Sequence, residues 1–467
     1  MTNSKSRYRK PYTSVPEQVE ILRRRGMDVG DPAKAESLLR RYGYYRLSGY
    51  TYFYRQDQHS NNFSEGTTLS RVEMLYAFDE KLRSTLLNGI GQIEVALRFH
   101  IGHRLGRRDI FAHRSSAEFE NEFGVWTAGK SLIKPSKHQG WLREYNRQEK
   151  RSQEAFVQHF RRRYGPHLPV WVATEVMSFG TLCQLFHAMP ENDRKLIAVR
   201  FGILSKVGDG DGATLSTWLN HLRHIRNLCA HHSRVWNRTF DVVLGQPNKT
   251  MVSELSHWED LTVRKLYGTI SAIRFLLASI NPASNWHTEA ISLVTDFARR
   301  SGINMQNMGF PNDWQAEKIW QPEYRADVHL QEIVDAIDNI RVVNRRKAMQ
   351  LLSKKPNDAE RKKWLRYLFK RHALIGHEIG PQMYFPDFQF KDGDVLVPVA
   401  DTNENLFKRL LRGNMERSAA SLLAQRWWLT PAVRNGFDEA PINWVKEHPE
   451  QVILASKQWS TTTIATW

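Results

Sequence analysis

Apolar residues recur at three- and four-residue steps along much of this chain, the spacing of helices that bury one face. Leu75, Phe78, Leu82, Leu86, Ile90, Ile93 and Leu97 form such a stripe, predicting one long helix or a helix pair over residues 69–105. Glu94 and Arg98 stand one turn apart near its end; they suit the border of a functional site as well as a structural ion pair. Leu168-Pro169-Val170-Trp171 opens a second apolar helix, continuing through Val176, Phe179, Leu182, Leu185 and Phe186, with Glu175 facing either core or cleft. A third stripe is Leu215, Trp218, Leu219, Leu222, Ile225 and Cys229, and a fourth helix, Leu266–Ile280, stops at Asn281-Pro282. Between the first two, residues 106–167 read as loop-rich and basic, a solvated face. Residues 381–400 look strand- or loop-like. The pattern predicts a mainly α protein: an N-terminal helical and aromatic segment (1–65), a helical bundle (66–320) and a separate, basic, mostly helical C-terminal region (321–467).

The third stripe matters most because of how it ends. It runs into Arg226-Asn227-Leu228-Cys229-Ala230-His231-His232-Ser233-Arg234-Val235-Trp236-Asn237-Arg238. Asn227 and His231 are four apart and share a face, with Arg226 beside them. The group offers a cation for a phosphate, an imidazole that titrates near neutrality and an amide to orient it. Arg234 and Arg238 add cations, and Trp236 an indole. Arg followed by His at this spacing also occurs at Arg98–His103, Arg162–His167 and Arg371–His377, but without the following Asn and the flanking cations and indole. The preceding Gly208-Asp209-Gly210-Asp211-Gly212 lacks a Lys-Ser/Thr and reads as a linker rather than a phosphate loop.

Charge changes the picture. A formal net charge of +18 calls for a polyanionic partner, and nucleic acid fits best. Residues 341–371 hold twelve lysines and arginines against Asp358 and Glu360, a balance of +10. Lys354, Lys355, Arg361, Lys362, Lys363 and Arg366, with Trp364, Tyr367 and Phe369 interleaved, are the candidate RNA-binding surface. Tyr42, Tyr44, Tyr45, Tyr50, Tyr52, Phe53 and Tyr54 alternate with Arg40, Arg41 and Arg46; the favoured reading puts most rings in a core and leaves the arginines exposed. With only Cys183 and Cys229, a disulfide framework is excluded and a reducing compartment is indicated. No apolar run reaches the length of a membrane span and Met1-Thr2-Asn3-Ser4-Lys5 opens no secretory segment, so the expectation is a cytoplasmic protein without membrane attachment.

Several stretches, in order, resemble the abortive-infection (Abi-like) family of bacterial phage-defence proteins, AbiD/AbiF type, within the HEPN superfamily. They are Lys10-Pro11, Glu17-Gln18-Val19-Glu20-Ile21-Leu22, Tyr44-Tyr45-Arg46-Leu47-Ser48-Gly49-Tyr50, Phe78-Asp79-Glu80-Lys81-Leu82-Arg83, Ile93-Glu94-Val95-Ala96-Leu97-Arg98, Leu168-Pro169-Val170-Trp171, Glu175-Val176-Met177-Ser178-Phe179-Gly180, the Arg226–Arg238 stretch and Met308-Gly309-Phe310-Pro311. The resemblance fades beyond Trp320-Gln321-Pro322. It implies a HEPN helical bundle whose Arg-x4-6-His motif cleaves RNA; here that motif maps to Arg226 and His231, with Asn227 in its polar slot. It also implies that the helix carrying Glu94 and Arg98 packs on the motif helix. Some family members are paired with a small non-coding RNA. The tail from Arg426-Trp427-Trp428-Leu429-Thr430-Pro431 to Ala440-Pro441-Ile442 faintly resembles the C-terminal segments of certain antitoxins.

RNA carries its own nucleophile, the 2′-hydroxyl. His231 suits the proton transfers, Arg226 the phosphate charge and Asn227 the orientation of the ring, with His232 as a reserve about 100° around an ideal helix. One histidine does not serve easily as both base and acid, so a homodimer that pairs two motifs is the simplest expectation. No metal or other cofactor is expected: His221, His224, Cys229, His231 and His232 cluster, but without the spacing of a zinc site. The expected partners are an RNA substrate and a small structured non-coding RNA. The competing reading is a non-catalytic RNA-binding or assembly protein in which Arg226 and His231 only grip phosphate.

Overall fold

The helix Leu69–Gly106 is the spine of the molecule, and it is one helix, not a pair. At 38 residues it is roughly 57 Å long. The Thr68 hydroxyl caps its start by accepting from the Arg71 amide. This computed structural model describes residues 11–57, 59–124, 127–128, 133–134, 136–322, 324–413, 415–430 and 439–459. The opening residues Met1–Lys10 and the 431–438 part of the antitoxin-like tail lie outside the described residues. The fold is mainly α, as the periodicity predicts.

Around the spine pack the helices Val170–Val176, Gly212–Ala230, Leu266–Ile280 and Trp286–Ser301. Leu266 through Ala278 are all buried, so Leu266–Ile280 is enclosed on every side within the core. Its one cation, Arg274, is satisfied by the carbonyls of Ile319 and Tyr324. Close helix approach relies on Gly89: a Cβ there would sit 2.7 Å from the Ile273 and Trp286 side chains. The Trp286 indole donates to the Thr85 carbonyl at 2.7 Å across the same contact. One hydrophobic core runs without interruption from Val19 to Tyr324 and includes the N-terminal helices Val15–Arg24, Pro32–Tyr42 and Tyr44–Thr51.

Two expectations for the middle of the chain need correction. The described part of residues 106–167 contains two helices of ten residues or more, Lys137–Arg151 and Ala155–Tyr164. The buried face of the first is His138, Trp141, Tyr145 and Glu149, and its two polar members disguise the stripe. Glu149 lies within salt-bridge reach of Arg114 and Arg161. Arg143, Arg147, Lys150 and Arg151 do face solvent, whereas Arg107 and Arg108 hold structural partners. The helix expected after Leu168 is two helices, Val170–Val176 and Phe179–Ala188. Ser178 breaks them apart, because its hydroxyl caps the second by accepting from the Thr181 amide.

The C-terminal region has its own cores. It is mostly helical, but it is built partly on a three-stranded antiparallel sheet in which Gln382–Pro386 lies between Val342–Asn344 and His377–Ile379. Helix Val328–Asn339 joins it to the bundle. Asp338 receives Arg104 and Arg200, and Arg107 caps the helix end through the carbonyls of Ile337, Asp338 and Ile340. Removing this largely buried carboxylate leaves Arg104 buried without its anion, while Arg200 keeps Asp335. Asp338→Ala is therefore expected to destabilise the joint by about 3–5 kcal/mol. Thermal melting reads this directly, and an unchanged midpoint would rule out an anchoring role.

Candidate active site at the end of the motif helix

The motif helix, Gly212–Ala230, begins at Asp211, whose carboxylate accepts from the Thr214 amide. Its loop is a connector, as expected, pinned by Lys195 on Asp209 at 3.0 Å. Leu215, Trp218, Leu219, Leu222, Ile225 and Cys229 are buried against the spine and Leu266–Ile280, as is His221. Each large apolar side chain contributes at most about 1.5–3 kcal/mol toward fixing the helix. His221 engages both ring nitrogens, with the Val242 carbonyl at 2.6 Å and the Thr269 hydroxyl at 2.8 Å. Burial pushes its pKa down to about 4, so it is a neutral core histidine with no nitrogen free for a metal. Among the described residues, no group of three or more His, Cys, Asp and Glu side chains is placed to hold a metal ion.

The helix stops just where the candidate chemistry lies. His231 is the C-cap, its amide donating to the Asn227 carbonyl at 3.0 Å. The His232 amide then bonds to Cys229 and the Ser233 amide to Leu228. This is a Schellman ending with His232 in the left-handed position, φ 54°, where glycine is usual. His232 has thus left the helix altogether, rather than pointing 100° around it. A histidine held there stores of the order of 1 kcal/mol of backbone strain. Arg226, Asn227, His231 and His232 are all exposed, and the Arg226 guanidinium lies 3.5 Å from the Asn227 amide oxygen. Arg234 and Arg238 are half-buried beside them. Trp236 corrects an expectation: it is fully buried, edge-on to Phe53 at 4.9 Å, and its indole is core rather than a surface for bases.

Two contacts that sequence spacing does not reveal set this loop. Asp79, fully buried on the spine, accepts from the amides of Val235 (3.1 Å) and Trp236 (2.7 Å) and from the Tyr50 hydroxyl (2.6 Å), and it pairs with Arg83. Burial next to this carboxylate raises the Tyr50 pKa, so the phenol remains a donor. From the N-terminal segment, Arg46 donates to the His232 carbonyl at 2.8 Å. Both residues lie in the stretches that carry the family resemblance, which was the available signal. The rings of that segment divide: Tyr50 and Tyr54 are buried, while Tyr45 is 91% exposed beside Arg46.

Glu94 and Arg98 form an ion pair, and Arg98 also donates to the carbonyls of Thr174 and Glu175 at the end of helix Val170–Val176. The pair thereby ties the spine to helix Val170–Val176, and Glu175 itself is exposed. In the C-terminal region, Lys354, Lys362, Lys363 and Arg366 are exposed, and Arg361 is held by Asp358 and the Lys355 carbonyl. Lys355 sits 4.0 Å over Trp364, which stacks on Tyr367, and Arg371 lies over the Tyr367 ring. Phe369 turns inward to Phe385 and Arg417. The sheet of this region touches the chain at Val207–Asp209, ahead of the motif helix. The 19-residue helix therefore carries His231 about 28 Å beyond that contact.

Among the described residues no helix is long and apolar enough to cross a membrane. No curated protein and no solved structure matches the chain. A family model does match, described as Abi-like protein, over residues 37–237. The matched span contains the Tyr44–Tyr50 segment, the spine with Asp79 and the whole motif helix, and ends just after Trp236. Over residues 37–237, somewhat less than half of its length, the chain is similar to the family of Abi-like proteins.

Proposed function

We propose that the protein acts in abortive-infection phage defence as a metal-independent HEPN endoribonuclease. The observation that carries this reading is the exposed Arg226–Asn227–His231 group, set on a rigid helix end and held by Asp79 and Arg46. In the reaction the 2′-oxygen bonds to phosphorus as the bond from phosphorus to the 5′-oxygen breaks. His231 takes the proton from the 2′-hydroxyl, or gives one to the leaving oxygen, and Arg226 balances charge on the phosphoryl oxygens. The products are a 2′,3′-cyclic phosphate and a 5′-hydroxyl. One His231 serves one of these roles, and the open position of the group leaves room for a second motif across a homodimer interface.

The test is cleavage of a labelled RNA by the purified protein in excess EDTA, with end-group analysis and light scattering on the same sample. Cyclic phosphate ends from a dimer are expected. Metal-dependent cleavage, or an active strict monomer, would overturn the mechanism. Binding without cleavage would favour the non-catalytic RNA-binding reading.

We further infer that the basic helix Asp358–Lys370 holds a structured non-coding RNA, away from the cleavage site. Charge balance and the exposed lysines support this. Reversing charge at Lys362, Lys363 and Arg366 is expected to weaken RNA binding and to lower the salt slope by about one unit for each phosphate no longer gripped. Cleavage of a short, saturating substrate stays near wild type. An unaltered salt slope would leave this helix as an ordinary solvated face.

A further inference from the structure

A cavity of about 780 Å³ opens beside the motif helix, between it and the helices Lys137–Arg151 and Phe179–Ala188. Its volume is that of a small-molecule site. Phe123 gives it a half-buried apolar face, backed by Trp141, which is itself buried and stacked between His138 and Tyr145, and Glu144 adds one carboxylate to the rim. Gln184 and Asn220 bring amides, each with donors and an acceptor, and both are exposed. Lys137 and Arg223 bring cations. Arg223 is oriented by the Asn220 side-chain oxygen at 2.7 Å.

The position of the cavity says what it is for. On an ideal helix Ser216, Asn220, Arg223 and Asn227 fall within a sector of about 60°, and Ser216 lies about 16 Å from Asn227 along the axis. Ser216, Asn220 and Arg223 line the cavity, while Asn227 belongs to the candidate active site. One polar stripe of one helix therefore leads from the cavity to the cleavage motif, with Arg223 on it and Arg226 about 60° further round the helix. A single strand laid on this stripe would meet cations for its phosphates and, at one place, an apolar-sided cavity rimmed with amides. Those are the elements that hold an unpaired base: a flat apolar surface for its faces and hydrogen-bonding groups for its edge.

We propose that the cavity is a base-binding subsite, taking one unpaired nucleotide of the same RNA strand whose scissile phosphate lies at Arg226 and His231. The occupant rests on the ribonuclease reading, and the subsite sets where along a strand the protein cuts. Asn220 and Gln184 read the base edge, while Lys137 and Arg223 hold the flanking phosphates.

Gly140 supplies the test. It lines the cavity within a helix, and nothing lies within 4 Å of where its Cβ would stand. Gly140→Phe fills the cavity without an initial clash and improves helix propensity. Affinities are measured by fluorescence anisotropy on the full chain, with His231→Ala to prevent cutting, using single-stranded oligonucleotides of each base. One composition is expected to bind best, and Gly140→Phe to weaken it about tenfold and level the differences, in line with the removal of one stacked base. Asn220→Ala is expected to erode the same preference without filling space, which covers the case of a poorly folded Gly140→Phe. The two readings separate cleanly. Loss of affinity in these variants of a protein that never cleaves RNA would keep the subsite and remove the nuclease. Cleavage at unchanged sites, with equal affinities for all variants, would overturn the subsite and keep the nuclease.

Discussion

His231→Ala is expected to lower RNA cleavage by about 10²–10⁴, the usual contribution of one general acid or base. Arg226→Ala is expected to fall comparably, since a preorganised cation on a developing phosphorane charge contributes on a similar scale. Neither change should disturb the fold: both side chains are exposed, and the helix ending depends on the backbone of residues 227–233. Single-turnover cleavage of a labelled RNA, together with circular dichroism, separates chemistry from unfolding. His232→Ala gives a contrast, because its side chain projects from a left-handed turn rather than from the helix. A mutant lacking His231 that retains full activity would remove this residue from the mechanism.

Asp79→Ala is expected to have the largest effect on stability. It leaves the Arg83 guanidinium buried without its anion and removes the acceptor of two loop amides and the Tyr50 hydroxyl. Losing one partner of such a buried pair costs about 3–5 kcal/mol. The loop after His231 would be released at the same time, so residual cleavage in any folded fraction should fall as well. Asp79→Asn retains an acceptor oxygen and is expected to lose less. Chemical denaturation curves for both variants provide the measurement. Equal midpoints for Asp79→Ala and wild type would show that the loop is held by other contacts.

The spine and the motif helix were legible because each carries a long apolar stripe at helical spacing, and the core uses those stripes as the periodicity implies. Arg226, Asn227 and His231 were legible for the same reason, as they complete the polar side of a helix whose buried side is unmistakable. The end of that helix was not. Sequence reasoning looks for glycine at a left-handed terminus, and here a histidine occupies it. The Asp79 clamp bridges residues 156 and 157 positions apart, and no local pattern registers such a pair. Helix Lys137–Arg151 was hidden because burial falls partly on His138 and Glu149, which any hydropathy scale counts as polar. Trp236 misleads in the other direction, a large ring among cations that packs inward.

The unbroken core from Val19 to Tyr324 bears on when the motif becomes usable during synthesis. Residues 226–231 emerge from a ribosome before Leu266–Ile280, the buried helix that meets the earlier turns of the motif helix, where Trp218 packs on Phe275 and His221 bonds to Thr269. Until that helix arrives, Leu215, Trp218, Leu222 and Ile225 have only part of their apolar cover, and the motif helix lacks the packing that holds a helix of its length. An interrupted chain ending short of the low three hundreds would therefore carry every candidate catalytic residue and the Asp79 and Arg46 contacts to their loop, yet lack part of the core beneath the motif helix. Full packing of the motif helix therefore waits on completion of the bundle, well after the candidate residues themselves have been made.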